Sequence, residues 1–317
     1  MKTIETRNGS FAAIDEGDGP VVLLLHGWPE SAYSWRHQIP ALAQAGYRVV
    51  APNQRGYAGS FAPEAVDAYT QLHLVGDAIA LLDALEAETA VVIGHDWGAP
   101  VAWHTALMRP DRVRAVAGLS VPYTPRGARS LTQAMRDHGH SGFYMLYFQE
   151  PGVAEAELEA DIRDSLLRIY YVGSGNVAPG GEWIAIVPPG GGVLDTAPPR
   201  DHLPPWLTEA DLDHYTAEFR RSGFRGPLNW YRNVDLSWEL MAAYHDAPLE
   251  VPACFIAGER DMVLQVRGLE KIRQDLAAKV PDLHGPHFLH GAGHWTQQER
   301  PEEVNRILLD FLGGLPR

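Results

Sequence analysis

Gly94-His95-Asp96-Trp97-Gly98 directly follows the apolar run Ala90 to Ile93, and the residues after it read as a helix. An unbroken apolar run of that length is the mark of a strand buried on both faces, and glycines on either side of a turn let a strained backbone approach its neighbours closely. The stretch therefore reads as a sharp strand-to-helix turn with an aspartate at its tip. A carboxylate placed there is favoured in its ionised form by the helix dipole and the free N–H groups of the first helical turn. It is also a competent nucleophile toward an sp3 carbon, giving an ester that water can cleave. A second reading fits the turn equally well, because Asp is among the preferred N-cap residues of helices. The chain holds no Gly-x-Ser-x-Gly, so a serine nucleophile is missing from the one place where this kind of turn would present it.

Working outward, Val21 to Leu25, Tyr47 to Ala51, Val113 to Leu119 and Ala253 to Ala257 repeat the buried-strand character of Ala90 to Ile93. Between them lie helical periods. Val75, Ile79, Leu82 and Leu85 share one face after Tyr69, and Val304, Ile307, Leu308 and Phe311 share another before Gly313-Gly314, which are expected to stop that helix. The helix after Trp97 should end at Arg109-Pro110, where proline prevents continuation. Asn8-Gly9 predicts a hairpin pairing residues 2 to 6 with 11 to 15. Strands alternating with helices imply crossover units and a mostly parallel central sheet flanked by helices, an α/β class. The alternation fails between about Val121 and Ala247. The expected organisation is a core of residues 1–121 and 248–317 interrupted by a mainly helical cap, 122–247, with a Gly/Pro-rich loop at about 173–205 and a helix resuming at the capping pair Thr208 and Asp211.

With 317 residues, 45% of them hydrophobic, the chain can bury a large core. Its net charge of -14 argues against nucleic acid and against anionic lipid, and points to a small neutral substrate. Cys254 is the sole cysteine and sits in an apolar run, so it reads as strand packing in a reducing compartment. The N-terminus lacks the apolar stretch of a signal peptide, and no apolar run approaches the ~18 residues a membrane helix needs, so the expectation is a cytoplasmic chain without membrane insertion. The glycines at 173 to 181 and 190 to 192 do not sit in a strand-to-helix turn, which sets aside a dinucleotide site.

Other residues bear on the choice between nucleophile and cap. Asp261, in Gly258-Glu259-Arg260-Asp261, and His294, in Gly291-Ala292-Gly293-His294-Trp295, both fall at the carboxyl ends of expected strands. They complete the order nucleophile, acid, histidine: neutral His294 would take a proton from water while the acid orients the ring. Spacing alone leaves Glu259 open beside Asp261, and either could be a turn residue. His26-Gly27-Trp28-Pro29 follows the strand Val21 to Leu25, so the backbone N–H of Trp28, together with that of Trp97, suits an oxyanion hole. Pro29 has room for a cis bond; His26 reads as a brace for that loop and His95 as a packing or hydrogen-bonding neighbour of the turn. The cap offers Tyr144 and Tyr231 as acids for a leaving oxygen, though composition gives no reason to prefer them over other tyrosines.

The chain resembles the epoxide hydrolases of the α/β-hydrolase fold over nearly its whole length. The resemblance is carried by His26-Gly27-Trp28-Pro29, by the turn at Asp96, by the cap runs 147–155 (Tyr-Phe-Gln-Glu-Pro-Gly-Val-Ala-Glu) and 223–231 (Gly-Phe-Arg-Gly-Pro-Leu-Asn-Trp-Tyr), and by Gly293-His294-Trp295. It implies hydration of an epoxide to a vicinal diol through an ester on Asp96, with Tyr144 and Tyr231 as the paired ring-opening tyrosines and Tyr147 as the fallback. It also favours Asp261 over Glu259, implies substrate contacts from Pro29, Trp230 and Trp295, needs no metal or organic cofactor, and is compatible with a monomer or a homodimer. A dehalogenase of the same fold would use the same aspartate, base and oxyanion hole but would need halide-binding donors in place of two phenols. A non-catalytic module on this fold would usually have lost part of the set, whereas here every expected position is filled.

Overall fold

A computed structural model describes residues 1–178, 183, 185–265 and 268–315 of the chain. Its eight strands are β1 (Lys2–Thr6), β2 (Gly9–Glu16), β3 (Val21–Leu25), β4 (Arg48–Pro52), β5 (Ala90–His95), β6 (Val113–Leu119), β7 (Ala253–Gly258) and β8 (Leu283–Leu289), in the sheet order β1-β2-β4-β3-β5-β6-β7-β8. From β4 to β8 all pairings are parallel, and β1 and β2 add an antiparallel edge. The strands read as apolar runs, β3, β5 and β7 above all, are buried along their whole length, because helices cover both faces of the sheet. This is the α/β-hydrolase architecture.

Three features differ from what the pattern predicts. The hairpin pairs Thr6 with Gly9, so the connecting residues are Arg7 and Asn8 rather than Asn8-Gly9. The Thr6 hydroxyl closes this turn by donating to the Gly9 carbonyl at 2.7 Å and accepting the Asn8 N–H at 3.1 Å. The last helix, Pro301–Gly314, runs through both glycines instead of stopping before them; the buried face of Val304, Ile307, Leu308, Phe311 and Leu312 holds it against the sheet. β8 carries no long apolar run because it is an edge strand, mostly half-buried, broken in character by Gly285-Pro286.

Between β6 and β7 the described residues form helices and no strand: Leu131–Asp137, Tyr144–Tyr147, Val153–Leu158, Ile162–Val172, Glu209–Ser222, Arg225–Arg232 and Val234–Leu240. Thr208 caps Glu209–Ser222 reciprocally with Asp211. Residues 179–182 and 184 of the Gly/Pro-rich stretch lie outside the described residues. The rest of that stretch is tied down: Ala185 O accepts the Tyr144 N–H at 2.9 Å, Val187 N–H reaches Gly142 O at 2.7 Å, and the Glu157 carboxylate accepts the N–H groups of Val193 and Leu194 at 3.0 and 2.8 Å. No helix among the described residues is long and apolar enough to cross a membrane.

The turn after β5 is as tight as its glycines suggest. A Cβ on Gly94 would lie 2.0 Å from the Gly98 carbonyl oxygen, and one on Gly98 would lie 2.1 Å from that of Leu25. Asp96 itself has φ +48°, a left-handed conformation that costs a non-glycine residue roughly 1 kcal/mol and is retained only where its surroundings impose it. Replacing Gly98 by alanine should therefore cost about 2–3 kcal/mol or more, through forced movement of β3. Gly313→Ala, where an added Cβ meets nothing within 4 Å, should be neutral or stabilise by up to about 1 kcal/mol. Urea unfolding of the two variants beside the parent protein measures both.

Candidate active site

Parallel strands deliver their carboxyl ends to one edge of the sheet, so the loops after β3, β5, β6, β7 and β8 converge there. The loop after β3 carries Trp28, the turn after β5 carries Asp96, the loop after β7 carries Asp261 and the loop after β8 carries His294. Asp96 Oδ1 accepts the Trp28 N–H at 2.7 Å, and Oδ2 lies 3.4 Å from His294 Nε2. On the other side of the ring, His294 Nδ1 faces both oxygens of Asp261 at 3.0 and 3.1 Å. Asp261 is fully buried and is held in turn by the Val263 N–H at 2.9 Å. Glu259 is spent elsewhere, on the exposed His290 at 2.8 Å.

This arrangement decides the role of Asp96. The helix Gly98–Met108 takes Trp97 as its N-cap residue, with no side-chain cap bond. The Asp96 carboxylate is turned away from that helix, toward Trp28 and His294. Burial opposes its ionisation, but the hydrogen bond and charge of His294, the charge of His95 and the Trp28 amide outweigh burial and hold it below the usual carboxylate range. For His294, burial disfavours the cation, yet two flanking carboxylates win and raise it well above an ordinary histidine.

The two neighbouring histidines brace the loops. His26 is fully buried, donates from Nδ1 to Gly27 O at 2.9 Å and accepts the Gln54 N–H on Nε2 at 3.0 Å, so it is a neutral ring and burial lowers its pKa. The Trp28-Pro29 bond is cis. His95 donates from Nε2 to the His294 carbonyl at 2.8 Å, leaving Nδ1 to Glu30 Oε2 at 2.7 Å. Glu30 is itself fully buried and gathers the N–H of Gly27 and the side-chain amides of Gln297 and Gln298. One carboxylate thus joins the Trp28 loop, the Asp96 turn and the helix that follows His294. Sequence reading missed Glu30; its place four residues after His26 was the available signal. Ser120, at the end of β6 with φ +67°, was missed too, and its hydroxyl donates to the His294 carbonyl at 2.7 Å.

Above the Asp96 carboxylate, Tyr144 and Tyr231 are buried with ring centroids 5.9 Å apart. Burial pushes both phenols up, and the Asp96 charge adds to it. Trp97 packs edge-on against Tyr231 at 4.9 Å. Tyr147 is excluded as a substitute, since its hydroxyl is committed to Glu157 at 2.8 Å.

Both tyrosines line a cavity with Asp96, His294, Trp28 and Trp295 in its wall. Ile169, Gly173, Trp183, Met262 and Val263 complete the wall and were not anticipated. Pro29 and Trp230 are not part of it. Trp230 is buried with its indole N–H on the Arg55 carbonyl at 3.1 Å, and Pro29 offers its carbonyl to the Tyr170 hydroxyl at 2.6 Å, so both serve the scaffold behind the cavity. Among the described residues no cluster of His, Cys, Asp or Glu suits a metal ion.

The chain matches the alpha/beta hydrolase fold family over residues 20–153. It is 48% identical to epoxide hydrolase A of Mycobacterium tuberculosis, across 99% of this chain and 97% of that one. It is also 39% identical to bifunctional epoxide hydrolase 2 of Sus scrofa, across 94% of this chain and 52% of the longer relative. A solved epoxide hydrolase from an endophytic Streptomyces superposes with a TM-score of 0.95 at 48% identity, covering 99% of this chain and 95% of that one. Fold, site geometry and kinship agree that the chain belongs to the epoxide hydrolases of the α/β-hydrolase fold.

Proposed function

We propose that this protein hydrates a small neutral epoxide to a vicinal diol through a covalent ester on Asp96. The observation that carries this is the pairing of Asp96, already bonded to the Trp28 amide, with two buried tyrosines across one cavity. The substrate lies beneath the helical segments between β6 and β7, which act as a cap, with its ring oxygen toward Tyr144 and Tyr231. Asp96 attacks a ring carbon through Oδ2 as the tyrosines donate to the departing oxygen. Their burial keeps them protonated at neutral pH, and an alkoxide is basic enough to take a proton from such a phenol.

The ester carbonyl oxygen is then Oδ1, which the Trp28 N–H already holds; the Trp97 N–H at the helix start is the second donor. Water activated by His294, oriented by Asp261, attacks the ester and releases the diol. Charge supplies the timing. In the resting site two carboxylates favour protonated His294, but forming the ester neutralises one of them, so the histidine's affinity for a proton falls when a base is needed, and the proton it gives up replaces the one a tyrosine has lost to the ring oxygen. A cavity walled by Trp28, Trp183, Trp295, Ile169, Met262 and Val263 suits an uncharged aryl or alkyl substituent. The acidic chain and its single buried Cys254 fit work in the cytoplasm.

Asp96→Asn should abolish diol formation, and His294→Gln should slow turnover by about 10³-fold or more while ester accumulates, visible as an adduct by intact mass spectrometry after mixing with an epoxide. Normal turnover with no adduct would sink the proposal, and halide release without diol would favour a dehalogenase.

Changing Tyr144 and Tyr231 together to Phe should slow ring opening by about 100-fold or more. Tyr147→Phe, which only loses the bond to Glu157, should leave turnover close to normal. Steady-state assays on the same epoxide decide between them.

Asn at position 96 imitates the neutral ester, so it should lower the pKa of His294 relative to the parent protein, Asp261 alone then opposing burial. Histidine NMR titration reads the sign directly; an unchanged or raised value contradicts the timing argument.

A further inference from the structure

The loop bearing His294 is fastened by a carboxylate that no catalytic step uses. Glu299 is buried, and its oxygens accept three backbone N–H groups: Gly293 at 3.1 Å, Trp295 at 3.1 Å and Gly175 at 2.9 Å. The first two flank His294. The third belongs to the segment that leaves the helix Ile162–Val172, within the region proposed as the cap. The same segment is gripped from the opposite side by Arg260, next to Asp261, whose guanidinium donates to the carbonyls of Gly175 and Val177 at 2.6 and 2.5 Å. His294 itself donates its N–H to the Gly173 carbonyl at 2.7 Å. The fit is close enough that a Cβ on Gly175 would lie 2.2 Å from the Gly291 carbonyl oxygen.

We infer that Glu299 is a positioning residue for the base: it locks the peptides on both sides of His294 to the Gly173–Val177 segment, so that His294 is aligned for ester hydrolysis only while that segment is docked. This rests on the reading of His294 as the ester-hydrolysing base. The consequence is a selective one. Asp96 is aimed by its own turn and held by the Trp28 amide, neither of which Glu299 touches, and draws only a flanking charge from His294, so ring opening does not depend closely on the lock. Ester hydrolysis does, because it needs His294 Nε2 to place a water molecule against the ester carbonyl. Burial pushes the Glu299 carboxyl up while the three amides pull it back, so the site gives up solvation of a carboxyl group to make these three contacts.

Glu299→Gln tests this by replacing one acceptor oxygen with an NH2 donor, which must face either the Trp295 amide or the Gly175 and Gly293 amides. With enzyme in excess over styrene oxide, quenched samples read by intact mass give the rates of ester formation and breakdown separately. The variant should form ester within about threefold of the parent rate and break it down about 10- to 100-fold more slowly. Breakdown at the parent rate, or formation slowed in equal proportion, overturns the inference. Absence of ester from both the parent protein and His294→Gln overturns the underlying reading as well, which separates the two failures. The unaltered protein supplies a check independent of how the variant folds: the Gly175, Gly293 and Trp295 amide protons should exchange with solvent at one common rate. A Gly175 amide exchanging more than about tenfold faster than Gly293 would show that the segment opens without disturbing the loop, contrary to the lock.

Discussion

Everything at this site follows from placing an ionised carboxylate where water solvates it poorly, with only 14% of the Asp96 side chain exposed. Burying an unpaired charge costs several kcal/mol even after relaxation, so Asp96 has to be compensated in place. The compensation comes from two other stretches of chain: the Trp28 amide at 2.7 Å and His294 at 3.4 Å. A parallel sheet can bring those stretches together because all of its loops at one edge share a direction. The left-handed backbone at Asp96 is the local cost of aiming the carboxylate away from its own helix and into that meeting point.

The same compensation sets the chemistry. His294 lies between two carboxylates, and its protonated form is stabilised as long as both are charged. Alkylation of Asp96 removes one charge and converts a stabilised cation into a candidate base without any movement of the chain. The tyrosines sit at the opposite electrostatic extreme. Burial and the nearby Asp96 charge make their phenolates costly, so they keep their protons until a stronger base than a phenolate, the opening epoxide oxygen, faces them.

How much of this is legible in the sequence depends on the range of the interaction. Strands β3, β5, β6 and β7 announce themselves because burial on both faces demands an unbroken apolar run, and Thr208 with Asp211 announces a helix because capping is local. Asp96 and His294 are legible because each follows the carboxyl end of a strand; Asp261 shares that setting, but spacing leaves Glu259 beside it and only the family resemblance separates the two. β8 is marked only by the short run His287-Phe288-Leu289, because an edge strand is half-buried and carries no long apolar stretch. Trp230 illustrates the opposite error. An aromatic beside Tyr231 in a helix looks like a cavity residue, but adjacent helical positions point about 100° apart, and its indole goes to the Arg55 carbonyl instead.

Glu30, Ser120 and Glu299 are harder to read for a further reason: their partners are backbone amides and carbonyls, which leave no signature in the sequence, or side chains that only the fold brings close. Glu30 collects the Gly27 amide, His95 and two glutamines, Ser120 takes the His294 carbonyl, and Glu299 takes the peptides on either side of His294. The catalytic side chains alone would be a loose set at the tips of four loops. A base that must hold water against an ester carbonyl tolerates little drift, since a displacement of about 1 Å can cost 10²-fold in rate. The buried polar groups behind the site meet that demand by fixing the main chain of His294 rather than its ring: its N–H is bound by Gly173, its carbonyl by His95 and Ser120, and its neighbours by Glu299. The two side-chain torsions that remain to the ring are restricted by the contacts of Nδ1 with Asp261.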